Sequence, residues 1–318
     1  MKAVFLDFAT MGSDSLDVSS LFDVLPGLER FDATPPEAVA ARIADAEFVL
    51  ANKSRLGEPE LGAARALRYV GLAATGTDNI DLESARARGL AVTNIRGYCT
   101  GSVVEHVFAV LSSLARGLVP YRAAVRAGRW QQASTFCLLD YPIRDLSSMT
   151  MGIVGFGELG GAVAGIAEKL GMRVLVARRR GAPASDDDRV DFEEMLALAD
   201  VVSLHCPLTP DTRNLIGAPE LRRMKRGAFL INTARGGLVD SRALVEALAA
   251  GDIAGAAIDV LPTEPPVDGD PLLDYEGENL VLTPHIAWAS AGARQNAIRE
   301  LAANIEAFID GRSRNRVV

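Results

Sequence analysis

Gly155-Phe156-Gly157-Glu158-Leu159-Gly160 is a G-x-G-x-x-G loop, and its chemistry is phosphate binding. It follows an apolar run at 151–154 and opens a helical pattern at 160–170, the strand–turn–helix context that a dinucleotide site requires. Gly155 permits the tight turn, Gly157 removes a Cβ where pyrophosphate approaches, and Gly160 lets helix and strand pack closely. The helix N-terminus then offers free N–H groups and a partial positive charge. The next apolar run, 173–177, leads into Arg178, Arg179 and Arg180, with no carboxylate at the position that would accept the two adenosine ribose hydroxyls of NAD. Guanidinium groups match the charge and geometry of a 2′-phosphate, so the sequence favours NADP(H) over NAD(H).

The elements around this loop set the fold class. Short apolar runs at 3–8, 47–51, 69–73 and 90–94, then at 151–154, 173–177, 201–204, 228–233, 256–260 and 279–282, alternate with helical patterns. The helical patterns include 36–46, 82–88, 160–170, 192–199 and 242–250. Continuous apolar strands separated by helices predict parallel sheets covered on both faces, and the 318 residues suit two such α/β domains. Ser102-Val103-Val104-Glu105 fits a capping box before an apolar helix at 107–114, a connector buried on several sides. The irregular stretch 127–148 carries Trp130, Phe136 and Tyr141, which suits an arm packed on a second subunit.

Composition narrows the class. The net charge of −8 argues against a general nucleic-acid binder. The three cysteines form no C-x-x-C pair and no disulfide framework, and no apolar stretch reaches the ~18 residues of a membrane span. The N-terminal run is too short for a signal-peptide core, so a cytoplasmic protein without a metal site is expected.

Asn232-Thr233-Ala234-Arg235-Gly236-Gly237, Asp259-Val260 before Glu264-Pro265, and Thr283-Pro284-His285-Ile286-Ala287 follow the glycine loop in that order. Together they resemble the D-2-hydroxyacid dehydrogenase family over nearly the whole chain. Lys53, Ala73-Ala74-Thr75-Gly76 and Phe136-Cys137-Leu138-Leu139-Asp140 look most like its glycerate dehydrogenase / hydroxypyruvate reductase branch.

The residue types suit that chemistry. Reducing a 2-oxo acid needs a hydride donor, a proton donor and a grip on a carboxylate. Arg235 can bind the carboxylate bidentately and polarise the adjacent carbonyl. His285 is the candidate proton carrier among three histidines, with Glu264 holding one tautomer and favouring the imidazolium. The resemblance makes His205, Cys206, Pro207 and Thr212 the wall of the cofactor pocket, together with Thr233, Ala234 and Ala287. It gives Asp259 to the nicotinamide carboxamide, and it turns Lys53 toward the substrate. Ala74, Thr75 and Gly76 look like a carboxylate cradle. His106 reads as a satisfied interior histidine. Arg96 departs from the proline common in the family, and no role follows for it.

The resemblance further implies a flavodoxin-like substrate domain, 1–97 plus 286–318, and a Rossmann cofactor domain, 98–285, with the active site in a cleft between them. The helical stretch 289–309 would fold back onto the substrate domain. A homodimer through the cofactor domain and the 127–148 arm is implied as well. Glu264 argues against formate as donor, since formate dehydrogenases of this fold generally pair the histidine with glutamine. Phosphite or another donor stays open, as do a non-enzymatic NAD(P)H-sensing interaction protein and a catalytically dead NADP(H) binder.

Overall fold

The computed structural model describes residues 1–12, 16–183 and 188–318. The chain divides into two compact units, Met1–Cys99 with Trp288–Val318, and Thr100–Ala287. Each break falls two residues beyond the boundary expected from the sequence.

The first unit is a parallel sheet of β1 (Ala3–Phe5), β2 (Leu28–Arg30), β3 (Phe48–Ala51), β4 (Tyr69–Leu72) and β5 (Ala91–Thr93), in the order β2-β1-β3-β4-β5. That order is the flavodoxin-like doubly wound arrangement. β1, β3 and β4 are buried along their whole length, which explains their unbroken apolar sequence. The helices are α1 (Ser19–Val24), α2 (Pro36–Ile43), α3 (Glu58–Ala63) and α4 (Leu82–Ala87). Asp81 caps α4 by accepting from Ser84 N. A last helix, Ala291–Ile309, returns to this unit and buries Ala297, Ile298, Leu301 and Ile305 in the core that holds Phe5, Phe48 and Tyr69.

The second unit opens with α5 (Thr100–Ala115) and α6 (Leu118–Arg126). Its six parallel strands are β6 (Thr150–Val154), β7 (Arg173–Val176), β8 (Val201–Leu204), β9 (Phe229–Asn232), β10 (Gly255–Ile258) and β11 (Leu280–Leu282), ordered β11-β10-β9-β8-β6-β7. α7 (Glu158–Lys169), α8 (Phe192–Leu198), α9 (Ala218–Arg223) and α10 (Ser241–Ala250) cover the sheet, and the Ala291–Ile309 helix of the first unit completes the series as α11. β6 lies between β7 and β8, so the strand order reverses there and the carboxyl end of β6 is the switch point where such sheets bind ligands.

One local expectation is corrected, at the start of α5, and two further features emerge. α5 begins at Thr100, so Ser102 lies inside the helix and is not its cap. Its hydroxyl instead donates to Ala287 O at 2.7 Å. The stretch after α6 is partly folded on itself, with Trp130 Nε1 donating to Phe136 O and a 3-10 turn at Leu146–Ser148. β2 has no counterpart among the expected strands. Among the described residues no single helix is long and apolar enough to cross a membrane.

Candidate active site

The glycine loop sits at the end of β6. Gly155 has φ +93°, and a Cβ there would stand 2.7 Å from Cys206 N, because the His205–Cys206 backbone crosses directly beneath. A Cβ on Gly160 would lie 2.0 Å from Gly155 O, so this glycine seats α7 on the turn. Gly157 faces open space, and among the described residues no side chain caps α7. Phe156, Glu158 and Leu159 complete the loop, and Thr100 Oγ1 donates to the Glu158 carboxylate. The uncapped N–H groups at 158–160 therefore form an anion cradle.

A small pocket beside the loop is lined by Gly155, Phe156, Arg178, Arg179, Cys206 and Thr212, and also by Arg180, Arg189 and Asp211. The three consecutive arginines do different work. Arg180 is engaged by Glu193 at 3.0 Å and Glu220 at 2.8 Å, so it ties α8 to α9 and the run is not a uniform phosphate grip. Arg179 pairs with Asp211 at 2.8 Å, and Arg178 donates to Arg189 O. Arg189 is a fourth guanidinium in the pocket that sequence reasoning missed. No spacing links it to the arginine run; the parallel bridge Ala177–Val190 brings it there.

His205 Nε2 bonds Ser203 Oγ, and burial pushes its pKa down to about 4. Burial likewise raises the Cys206 thiol. Neither group is poised for proton or thiolate chemistry at neutral pH. Thr212 Oγ1 donates to Pro207 O, which shapes the turn between them. Thr233 Oγ1 is buried with no hydrogen-bond partner among the described residues. An orphaned hydroxyl, an uncapped helix and a Cβ-free cradle fit a nicotinamide dinucleotide.

The loops after β9, β10 and β11 carry the candidate reactive side chains, Arg235, Glu264 and His285. Asn232 is fully buried, and its amide donates to Arg235 O while Oδ1 accepts from Ala234 N. That side chain folds the Arg235 loop. Gly236 then packs so closely that a Cβ would lie 1.9 Å from the Leu261 carbonyl carbon. This contact places the Arg235 loop against the Glu264 segment. Glu264 Oε1 accepts from Leu261 N at 2.8 Å, and Oε2 meets His285 Nδ1 at 2.6 Å.

His285 has φ +55°, a conformation that non-glycine residues seldom adopt. Asp259 holds it there. Asp259 is 2% exposed, and its Oδ1 accepts from Thr283 Oγ1 and Ile286 N, its Oδ2 from Ala287 N and its main-chain oxygen from His285 N. His106 lies beside this network, with Nε2 3.2 Å from Thr283 Oγ1.

The first unit holds the remaining candidates. Lys53 is exposed on a loop fixed by Asp7, a buried carboxylate that sequence reasoning passed over. Asp7 accepts from Asn52 N at 2.8 Å, Lys53 N at 2.6 Å and Ser54 N at 2.6 Å. Thr75 is pinned to Ile95 O and Asn94, and Ala74 O accepts from Ile95 N. No acceptor among the described residues meets the N–H groups of Thr75 and Gly76. Arg96 reaches Asn94 Oδ1 at 3.3 Å.

The family described as "D-isomer specific 2-hydroxyacid dehydrogenase, NAD binding domain" matches residues 108–287. The chain is 44% identical to a glycerate dehydrogenase of Methylorubrum extorquens, over 99% of this chain and 98% of that one. It is 34% identical to a hydroxypyruvate reductase of Blautia hydrogenotrophica, over 98% of each. Among solved structures, an acyclic imino acid reductase in complex with NADPH and D-Arg superposes with a TM-score of 0.87 at 28% identity, covering 100% of both chains.

Proposed function

The chain belongs to the D-isomer specific 2-hydroxyacid dehydrogenase family and is an oxidoreductase acting on CH–OH groups, and from that premise we propose that it reduces small 2-oxo acids to D-2-hydroxy acids. Hydroxypyruvate is the first substrate and glyoxylate the second, with NADPH preferred over NADH. The observation that carries the reading is the 2.6 Å contact of His285 Nδ1 with Glu264 Oε2 on a loop that Asp259 fixes.

With Nδ1 held by Glu264, His285 exchanges its proton with the substrate oxygen through Nε2. It gives that proton to the carbonyl oxygen in reduction and takes one from the hydroxyl in oxidation. Arg235 binds the substrate carboxylate and polarises the neighbouring carbonyl. Within the first unit, Lys53 and the N–H groups of Ala74, Thr75 and Gly76 are suited to a carboxylate. Gly155, Gly157, Gly160, Thr212, Thr233, Ala234 and Ala287 hold the nicotinamide cofactor, which supplies the hydride and with it both electrons. Arg178 and Arg179 favour the extra phosphate of NADPH. Asp211 is the one carboxylate lining that pocket among the described residues.

The test is oxidation of NADPH over a panel of 2-oxo acids, repeated with NADH. Turnover with hydroxypyruvate and a higher kcat/KM for NADPH are expected. No oxidation with any member overturns the substrate reading, and an equal or better kcat/KM with NADH removes the cofactor preference alone. The proposal includes a cytoplasmic homodimer joined through the cofactor unit and the 127–148 arm. Phe136 is 90% and Leu139 76% exposed in the single chain, apolar surface of the kind that subunits cover. A monomer mass by light scattering at micromolar concentration would remove that part.

A further inference from the structure

We infer that Ser102 and His106 form a two-point clamp on the loop of the proton carrier, and that both are positioning residues for His285. The inference rests on His285 being that carrier. Ser102 and His106 are four residues apart on α5, so they share one helix face. Ser102 Oγ donates to Ala287 O at 2.7 Å, and His106 Nε2 lies 3.2 Å from Thr283 Oγ1. Their targets flank His285, two residues to either side.

The direction of the His106 bond follows from donor arithmetic. A hydroxyl has one hydrogen, and Thr283 Oγ1 donates it to Asp259 Oδ1 at 2.6 Å. The Thr283 oxygen therefore accepts from His106 Nε2–H. The string runs from His106 through Thr283 to a buried carboxylate that also receives Ile286 N and Ala287 N. In a low-dielectric interior such strings reinforce one another. The loop needs the restraint, because His285 sits at φ +55°. Asp259 holds the loop from the carboxyl end of β10, and the α5 face holds its two shoulders. His106, 16% exposed, faces one carboxylate there, Asp259, at 3.8 Å.

The test uses His106→Leu, His106→Gln, Ser102→Ala and the Leu/Ala double variant of the full chain, assayed with hydroxypyruvate and NADPH. Loss of one net hydrogen bond at a positioned group predicts a fall in kcat of about three- to tenfold for each single variant. KM for the 2-oxo acid stays within about twofold, because the clamp does not touch the substrate. Glutamine keeps an N–H near the position of Nε2, so His106→Gln recovers kcat to within about twofold of the parent. The double variant falls below either single one. Tm, measured alongside, separates a displaced loop from a damaged fold.

A parental kcat in His106→Leu and Ser102→Ala overturns the clamp. So do losses that track Tm and are not rescued by glutamine. His285→Ala is the control for the premise. If it keeps its kcat, the proton-carrier reading fails and the clamp falls with it. If it is inactive while the clamp variants are normal, only the clamp fails.

Discussion

Replacing His205 with glutamine is expected to make the protein more tolerant of acid. Burial lowers the imidazole pKa in the fold from the ordinary 6.5 to about 4. The unfolded chain binds a proton at His205 below about pH 6.5, and the folded chain does not until about pH 4. Between those values the unfolded state holds more protons, so stability falls as pH falls. Linkage over that interval costs about 2 kcal/mol by pH 5 and about 3 kcal/mol by pH 4, with little further loss below. Glutamine cannot titrate and can still bond Ser203 Oγ. Urea denaturation of both proteins at pH 8 and pH 5 measures the effect. The difference in unfolding free energy should move by about 2 kcal/mol in favour of the variant on acidification. A difference independent of pH would refute the reasoning, since it would mean that the folded imidazole protonates as readily as the unfolded one. The result also bears on chemistry, because a histidine that is neutral at pH 7 is not a general acid there.

Two further outcomes are expected. Gly236→Ala pushes a methyl group against the Leu261 backbone, 1.9 Å away, and that neighbour cannot swing aside; kcat/KM should drop at least about a hundredfold, with NADPH binding less affected, and a near-parental kcat/KM would show that the Arg235 loop need not sit where it does. Asp7→Ala leaves three backbone N–H groups without their carboxylate; it should cost roughly 3 kcal/mol of stability by urea denaturation and raise KM for the 2-oxo acid, and parental values of both would separate Asp7 from the Lys53 loop.

Much of the fold was legible because a parallel sheet buried on both faces writes itself as unbroken apolar runs. β3, β4, β8, β9 and β10 are buried throughout, and each has its expected run. Most runs overshoot the strand by a residue or so, since apolar burial continues where ladder pairing stops. β2 was missed because Leu28-Glu29-Arg30, at a sheet edge, buries one residue of three. α3 and α9 had a readable signal, a glycine just before each short helix and a proline and a glutamate in its first turn, with Glu60 and Glu220 reaching back to Gly57 and Gly217. Ser102 through Glu105 showed a similar pattern without that geometry, because the helix had already begun.

By itself the sequence picked out the candidate set on which the proposed function rests: the glycine loop, Arg235, Glu264 and His285. These are choices of residue type, and each lies in the segment that follows a strand revealed by local hydrophobicity. Only the tertiary structure decided which distant residues hold the loops and helices around the candidate groups. Asp7 meets residues 45 to 47 positions away, His106 meets Thr283 across 177, and Arg180 meets Glu220 across 40. Such partners are chosen by which strand ends and helix faces the packed sheet brings together. A buried carboxylate or imidazole looks the same in a sequence whether it reacts, aligns a loop or merely fills the core.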